Sequence, residues 1–371
     1  MASQYLHIVA FNIPHPANYG GVIEVYYKVK ALSEAGIRII LHCYQYGRSP
    51  SKELAELCFK VYYYPRHSGL RYLLQKDPYI VATRNAKSMP EHLLGDSFPV
   101  LFEGLHSTSL LAKCIQAKKR TLVRAHNIEH KYYRALASTE RALFRKLFFR
   151  LEARKLRRYE AILKQSDYVL GIALHESEYF EKVYGNAVYI PAFHRFTELF
   201  SREGSGNYIL LHGNLGVSEN SAVILSLAKK VLFRLGYPCI VAGKNPSPHF
   251  QKKLAAYPNI RLVTDPGDQE LDQLIRDAHI NLLVSKQATG IKLKLLHALF
   301  AGRHCLVNPE MVYGTGLESL CSVAATKEEL SSKLKELMGR PFSISEMQER
   351  KKALKEYSNR TSAEKIVRLL A

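Results

Sequence analysis

The chain spells one local pattern twice, and that repetition limits its fold more than any other feature. Leu6-His7-Ile8-Val9-Ala10-Phe11 is an apolar run closed by Asn12, Pro14 and Pro16. Tyr26 to Ala35 then reads as a helix stopped by Gly36, and Ile37 to Leu41 is a second apolar run. Strand, loop, helix, glycine, strand is a βαβ unit and implies a parallel sheet with helices on its faces. The pattern restarts near Tyr208: Tyr208 to Gly213 reads as a strand, Val223 to Leu235 as a helix stopped by Gly236, and Cys239 to Gly243 as a strand. Further strands are expected at Phe59–Tyr64, Pro99–Phe102, Thr121–Ala125, Tyr168–Ile172, Ile260–Val263, Ile280–Val284 and Cys305–Asn308. Between the halves, Ser201-Arg202-Glu203-Gly204-Ser205-Gly206-Asn207 has the composition of a flexible polar linker.

At 371 residues the chain exceeds one ordinary core, and two α/β domains fit its length. Ligands of open parallel sheets sit beyond the carboxyl ends of the strands, so two such sheets facing each other make a cleft. Hydrophobic residues at 47% and charged residues at 23% exclude a disordered, collagenous or disulfide-framework chain. The excess of 53 Lys and Arg over 33 Asp and Glu, a formal charge of +20, fits an anionic partner. The six cysteines form no CxxC pair and lie mostly in apolar runs, as reduced thiols of a cytoplasmic protein do. The N-terminal apolar run lacks a basic n-region and a cleavage site and is expected as a first strand. No stretch reaches the roughly eighteen apolar residues of a membrane span, so any membrane contact is expected to be peripheral, on the inner face.

Candidate ligand-binding residues fall at the loops that follow the strands. Asn18-Tyr19-Gly20-Gly21 precedes a helix, where two glycines let backbone amides approach an anion, or simply make a turn. Glu103 and His106 follow one strand, and Arg124-Ala125-His126-Asn127-Ile128-Glu129-His130 follows another. His126 leaves the sheet where a cleft-facing group should; a histidine that merely caps the strand is the plainer reading, and a sugar or phosphate contact the sharper one. Taken literally, His126-x-x-Glu129-His130 also matches the HxxEH zinc pattern, but zinc needs both imidazoles on one helical face and a further ligand, and none is evident. In the second half, Gly290 opens a helix that carries Lys292, Lys294 and His297 and ends at Gly302. Lysines in a first turn oppose the helix dipole unless an anion lies between them and the amides, and a diphosphate would suit. Gly213, Asn214 and Gly316 lie in other strand-end loops of this half.

Arg141 to Lys164 carries nine basic and two acidic residues, with Phe144, Leu147, Phe148 and Leu151 at helical spacing. It reads as a long basic amphipathic helix, either packed on its sheet with a solvated basic face or docked on anionic lipid. No nucleic-acid-binding module is recognisable, so no nucleic acid partner is expected.

On the Asn18–Gly21 loop, the Arg124–His130 run and the Gly290–Gly302 run, the chain resembles bacterial glycosyltransferases of the GT-B fold, close to glycosyltransferase family 4 (group 1 type), over nearly its whole length. The resemblance implies an α/β chain of two Rossmann-like doubly wound domains facing a cleft. An acceptor-side domain would span 1–200 and a nucleotide-sugar domain 201–344, with a segment 345–371 crossing back. It implies a retaining hexosyltransferase of polysaccharide biosynthesis, moving a sugar from a nucleotide diphosphate to a hydroxyl of a glycan or lipid-linked acceptor without a required metal or other cofactor. In that scheme Gly20, Gly21, Gly213, Asn214, Gly290, Lys292, Lys294, His297 and Gly316 bind the donor, and His126 lies at the reacting sugar. Glu103, His106, Arg124, Asn127, Glu129 and His130 are the acceptor-side candidates. The chain departs from the family at His297, where a glutamate is usual, and at Asn214, where no basic residue follows. A non-catalytic nucleotide- or sugar-binding protein of the same fold is the alternative, and a zinc hydrolase using HxxEH the remote one.

Overall fold

The computed structural model describes residues 4–140, 142–286 and 292–370. Its first sheet contains β1 (Tyr5–Ala10), β2 (Arg38–Gln45), β3 (Lys60–Pro65), β4 (Val100–Glu103), β5 (Thr121–Ala125), β6 (Tyr168–Gly171) and β7 (Ala187–Tyr189), in the order β3-β2-β1-β4-β5-β6-β7. Its second contains β8 (Ile209–Asn214), β9 (Cys239–Lys244), β10 (Ile260–Thr264), β11 (Ile280–Leu283), β12 (His304–Val307) and β13 (Ser322–Val323), in the order β10-β9-β8-β11-β12-β13. Every strand pairing is parallel. Each sheet therefore winds outward from an inner strand and then resumes on that strand's other side. The switch points lie between β1 and β4 and between β8 and β11, where doubly wound sheets bind ligands. The inner strands β4, β5, β11 and β12 are buried along their whole length, because helices cover both faces.

The chain divides into two compact units. One runs to Arg195 and takes back the chain from Glu356; the other is Phe196–Lys355. In the first unit the helix Asn359–Leu369 buries Ala363 and Ile366 in one cluster with Val25, Val29 and Leu32 of the helix Gly20–Glu34. In the second, the helix Ile344–Leu354 is fixed by Arg350, whose guanidinium donates to the carbonyls of Gly302 (2.7 Å) and Arg303 (2.8 Å) and lies over the Phe342 ring. The stretch 345–371 is thus shared between the units.

Three local readings of the sequence change. The first helix starts at Gly20, six residues before Tyr26, because Val22 and Val25 already face the core while the two glycines hide the helical signal. The stretch 201–207 is tied down within the second unit: the Ser201 hydroxyl donates to the Gly302 carbonyl (2.7 Å), Gly204 bridges to Phe342 as an antiparallel pair, and the Gly206 amide donates to His279 Nδ1 (3.0 Å). Polar composition signalled a linker, but these bonds are long-range and leave no local trace. The edge strands β7 and β13, of three and two residues, are too short to give a periodic signal.

A buried polar chain crosses the first sheet. His7 contacts Asp96 (3.0 Å) and His42 (2.9 Å), His42 contacts the Tyr64 hydroxyl (2.9 Å), and that hydroxyl contacts His92 (3.0 Å). Lys119 pairs with Asp96 at 2.8 Å.

Candidate functional site

At the carboxyl end of the first sheet, neighbouring strands bring Glu103 of β4 into register with Arg124 of β5, and His126 follows directly. The helix after β1 adds Glu24 and, one turn later, Lys28. Lys28 Nζ donates to Glu24 Oε2 (2.9 Å) and to Glu103 Oε1 (2.6 Å) and Oε2 (2.8 Å). Arg124 Nε donates to Glu24 Oε1 at 2.9 Å, and its terminal nitrogens donate to the carbonyls of Ile190 (2.6 Å) and Pro191 (3.0 Å). Two carboxylates and two cations cancel inside the core. Burial alone would raise the Glu24 carboxyl, but the Lys28, Arg124 and His126 charges outweigh it and hold Glu24 at about 2. Arg124 has no exposed surface, so the acceptor-side role expected for it gives way to a structural one.

His126 closes this network. Its Nε2 stands 3.1 Å from Glu103 Oε2, and the ring, 11% exposed, meets Phe11 edge-on. A carboxylate at Nε2 places a proton there, and Nδ1 makes no hydrogen bond among the described residues. Glu24, Glu103 and His126 are also the one set of metal-ligand type that converges among the described residues. The Lys28 ammonium, within 2.6–2.9 Å of three of the carboxylate oxygens, already serves as the cation of that set. The HxxEH reading is not assembled: His126 is held by Glu103, whereas His130 Nδ1 is held by Glu160 at 2.9 Å, deep against the sheet.

Beside this network, His106 also packs on Phe11, and Glu129 opens the helix Glu129–Thr139. Glu129 is 3% exposed, and neither of its oxygens has a close hydrogen-bond partner among the described residues. Burial, reinforced by Glu176 and Glu160, raises it to about 8, so it is a neutral acid at neutral pH. Burial and the Arg84 and His126 charges hold the His106 imidazole well below its ordinary range. Its Nδ1 lies 4.0 Å from Glu129, beyond hydrogen-bond reach. Asn127 is partly exposed next to His126. Gly20 and Gly21 start the helix after β1, whose N-terminus no side chain caps. A Cβ at Gly21 would come within 2.9 Å of the Phe11 ring, so that position admits only glycine without movement.

At the switch point of the second sheet, Leu211 and His212 of β8, Leu282 to Val284 at the end of β11, and Lys294 line a small, partly open recess. The helix Ser218–Leu227 closes it with Asn220 and Val223. Lys294 lies in the first turn of the helix Leu293–Ala301. Among the described residues its ammonium meets one hydrogen-bond partner, the Val284 carbonyl, at 3.5 Å. Burial, and then the Lys292 charge, lower it from 10.5 to about 8 despite Glu219. His212 is buried with Nε2 unpartnered among the described residues, and burial keeps it neutral. His297 Nε2 is bonded to Asp272 at 2.7 Å and packs on Phe196. A carboxylate therefore does stand at this position, delivered by the helix Asp268–Asp277 through an imidazole. Gly213 and Asn214 end β8, but the Asn214 side-chain oxygen accepts from the Gly216 amide (3.0 Å), so it serves its own loop. Gly316 adopts φ 75° in a loop beyond β12 and is not among the residues that line the recess. Gly290 lies outside the described residues.

Sequence reading missed Glu24, Lys28, His212 and Asp272. Only the Glu24–Lys28 spacing of four left a trace, that of a helical ion pair, which elsewhere marks a solvated face.

No family model matches the chain. A 44.6 kDa protein of the cps region of Klebsiella pneumoniae, itself uncharacterised, is 26% identical, with 79% of each chain covered. Among solved structures, sucrose-phosphate synthase from Thermosynechococcus elongatus superposes with a TM-score of 0.72 at 13% identity, covering 99% of this chain and 98% of that one. A glycosyltransferase from Rickettsia africae gives 0.64 at 14% identity, covering 100% and 98%. A UDP-forming α,α-trehalose-phosphate synthase from Burkholderia xenovorans, in complex with glucose-6-phosphate, gives 0.63 at 12% identity, covering 99% of each chain. Two parallel doubly wound sheets and full-length superposition establish that this chain has the GT-B glycosyltransferase fold.

Proposed function

We propose that the chain is a retaining hexosyltransferase that moves a sugar from a nucleotide diphosphate to a hydroxyl of a glycan or lipid-linked acceptor during surface polysaccharide assembly. The observation that carries this reading is Lys294, a desolvated ammonium at a switch point with no carboxylate bonded to it among the described residues. Such a group is costly in the empty protein and becomes favourable when a diphosphate arrives. As the bond from the anomeric carbon to the diphosphate oxygen breaks, negative charge grows on the leaving group, and Lys294 stabilises it without a metal. The acceptor oxygen forms the new bond to the anomeric carbon and passes its proton to the departing diphosphate oxygen. The His126 ring, held at Nε2 by Glu103, hydrogen-bonds a sugar hydroxyl through Nδ1, and Gly20 and Gly21 offer backbone amides. The UDP-forming, sugar-phosphate-bound neighbour and the cps-region relative support the donor and the pathway class.

Isothermal titration with nucleotide diphosphates and nucleotide sugars tests the reading. Binding of at least one, weakened about 10- to 100-fold in Lys294→Met, is expected for a lost charge-assisted contact. Silence from every nucleotide at millimolar concentration would refute it. The engagement of His297 with Asp272 and of Asn214 with its own loop favours the non-catalytic alternative. Binding without transfer or donor hydrolysis would select it.

A further inference from the structure

We infer that the helix Leu143–Tyr159, with the stretch 70–74 beside it, forms a docking surface for an anionic lipid bilayer. No described helix is long and apolar enough to cross a membrane, so the contact is one of lying on the surface. The helix turns its small buried face, Ala153 and Leu156, to the protein and presents large apolar side chains to water. Phe144 is 90% exposed, Leu143 82%, Leu147 56% and Leu151 46%. Their spacing puts them on one face. Arg150, Arg154, Arg157 and Arg158 are exposed on the same helix, and none is in an ion pair among the described residues. The helix's single acid, Glu152, is buried and accepts from the Tyr79 amide (2.6 Å). A second element adds to the patch. Leu70 (78% exposed) and Leu74 (89%) come from a stretch bound to the helix by Lys155 Nζ on the Leu73 carbonyl at 2.6 Å.

Exposed aliphatic and aromatic groups ringed by unpaired arginines match the boundary between acyl chains and acidic headgroups. A second copy of the chain fits less well, since a two-fold contact would press the same arginines together. Nucleic acid would satisfy the arginines and leave six large apolar side chains in water. The inference is independent of the transfer reaction.

The test is cosedimentation of the full chain with vesicles of phosphatidylcholine alone or mixed with phosphatidylglycerol, across a salt series. Binding to the anionic vesicles is expected, weakening as salt shortens the screening length below ~10 Å. Arg150→Gln and Arg154→Gln should each lower partitioning about fivefold. Phe144→Ser and Leu147→Ser should each lower it about tenfold, and do so equally at high salt. All four positions are exposed, and circular dichroism with a melting curve confirms that the variants remain folded. Equal binding to neutral vesicles, insensitivity to the serine variants, or self-association in sedimentation velocity that Phe144→Ser abolishes would each overturn the inference. So would RNA binding that the serine variants leave intact while vesicles do not bind.

Discussion

Replacing Lys294 by methionine should stabilise the ligand-free protein while weakening ligand binding. The drop from 10.5 to about 8 corresponds to ~3 kcal/mol against the charged ammonium in the fold, at about 1.4 kcal/mol per unit. Methionine keeps the stem and the volume and discards the charge, with only the 3.5 Å contact to the Val284 carbonyl lost. Below pH 8 both the folded and unfolded wild-type chains hold the proton, and the full penalty applies. Between pH 8 and 10.5 the folded chain has released the proton and the unfolded chain has not, so wild-type stability rises with pH relative to the variant. The advantage of Lys294→Met is thus largest at neutral pH and fades towards pH 10.5. At about 2–4 °C per kcal/mol for a domain of this size, ~3 kcal/mol would move the melting point by ~6–12 °C, an upper bound because the site relaxes. Paired melting curves from pH 7 to 10.5, with and without nucleotide, read both effects. Ligand should raise the wild-type midpoint by more than it raises the variant's at the same concentration. A variant less stable than wild type at pH 7, by a margin that does not change with pH, would refute the reasoning. Lys294 would then be a compensated structural group.

Three further outcomes follow from the other buried charges. Lys28→Met leaves Glu24 with Arg124 and Glu103 with His126, one buried positive charge short, and should cost ~3 kcal/mol at pH 7, measured by urea titration. Glu129→Gln should gain on wild type as pH rises from 4.5 to about 8, because the raised carboxyl keeps its proton in the fold while the unfolded chain loses it; a gap that does not vary with pH would contradict that. Burial lowers His7 and His42 below 6.5, so the unfolded chain binds more protons in acid and stability falls as pH drops through that range. His42→Asn should flatten this acid limb by ~1.4 kcal/mol per pH unit for each proton removed from the linkage.

The fold was legible because parallel strands buried on both faces read as uninterrupted apolar runs, and Gly36 and Gly236 mark the helix ends with left-handed conformations. Position at a strand end was legible too: Glu103 closes β4, His126 follows β5, and Lys294 lines the recess at the end of β11. What side chains do there was not. Arg124 sits at the same kind of position as His126, yet its donors turn to Glu24 and to carbonyls some 66 residues away. Lys28 looks like half of a surface pair until Glu103, 75 residues on, completes it. Asp272 reaches His297 from a helix whose sequence shows only an ordinary acidic face. Sequence spacing records neighbours one turn or one rung away, and each of these contacts spans a whole crossover.

The two strand-end clusters therefore carry different weight, and the difference is one of charge balance. In the first unit Glu24, Glu103, Lys28 and Arg124 satisfy one another within 2.6–2.9 Å, so their burial is accounted for by the fold itself. They position His126 without needing a ligand. In the second unit Lys294 has no such partner among the described residues, and His212 beside it keeps an unbonded nitrogen. A protein gains no stability from an ammonium held in that way. The cost is explained once an anion bound there repays it, which is why the donor, rather than the acceptor, is the ligand this structure argues for first.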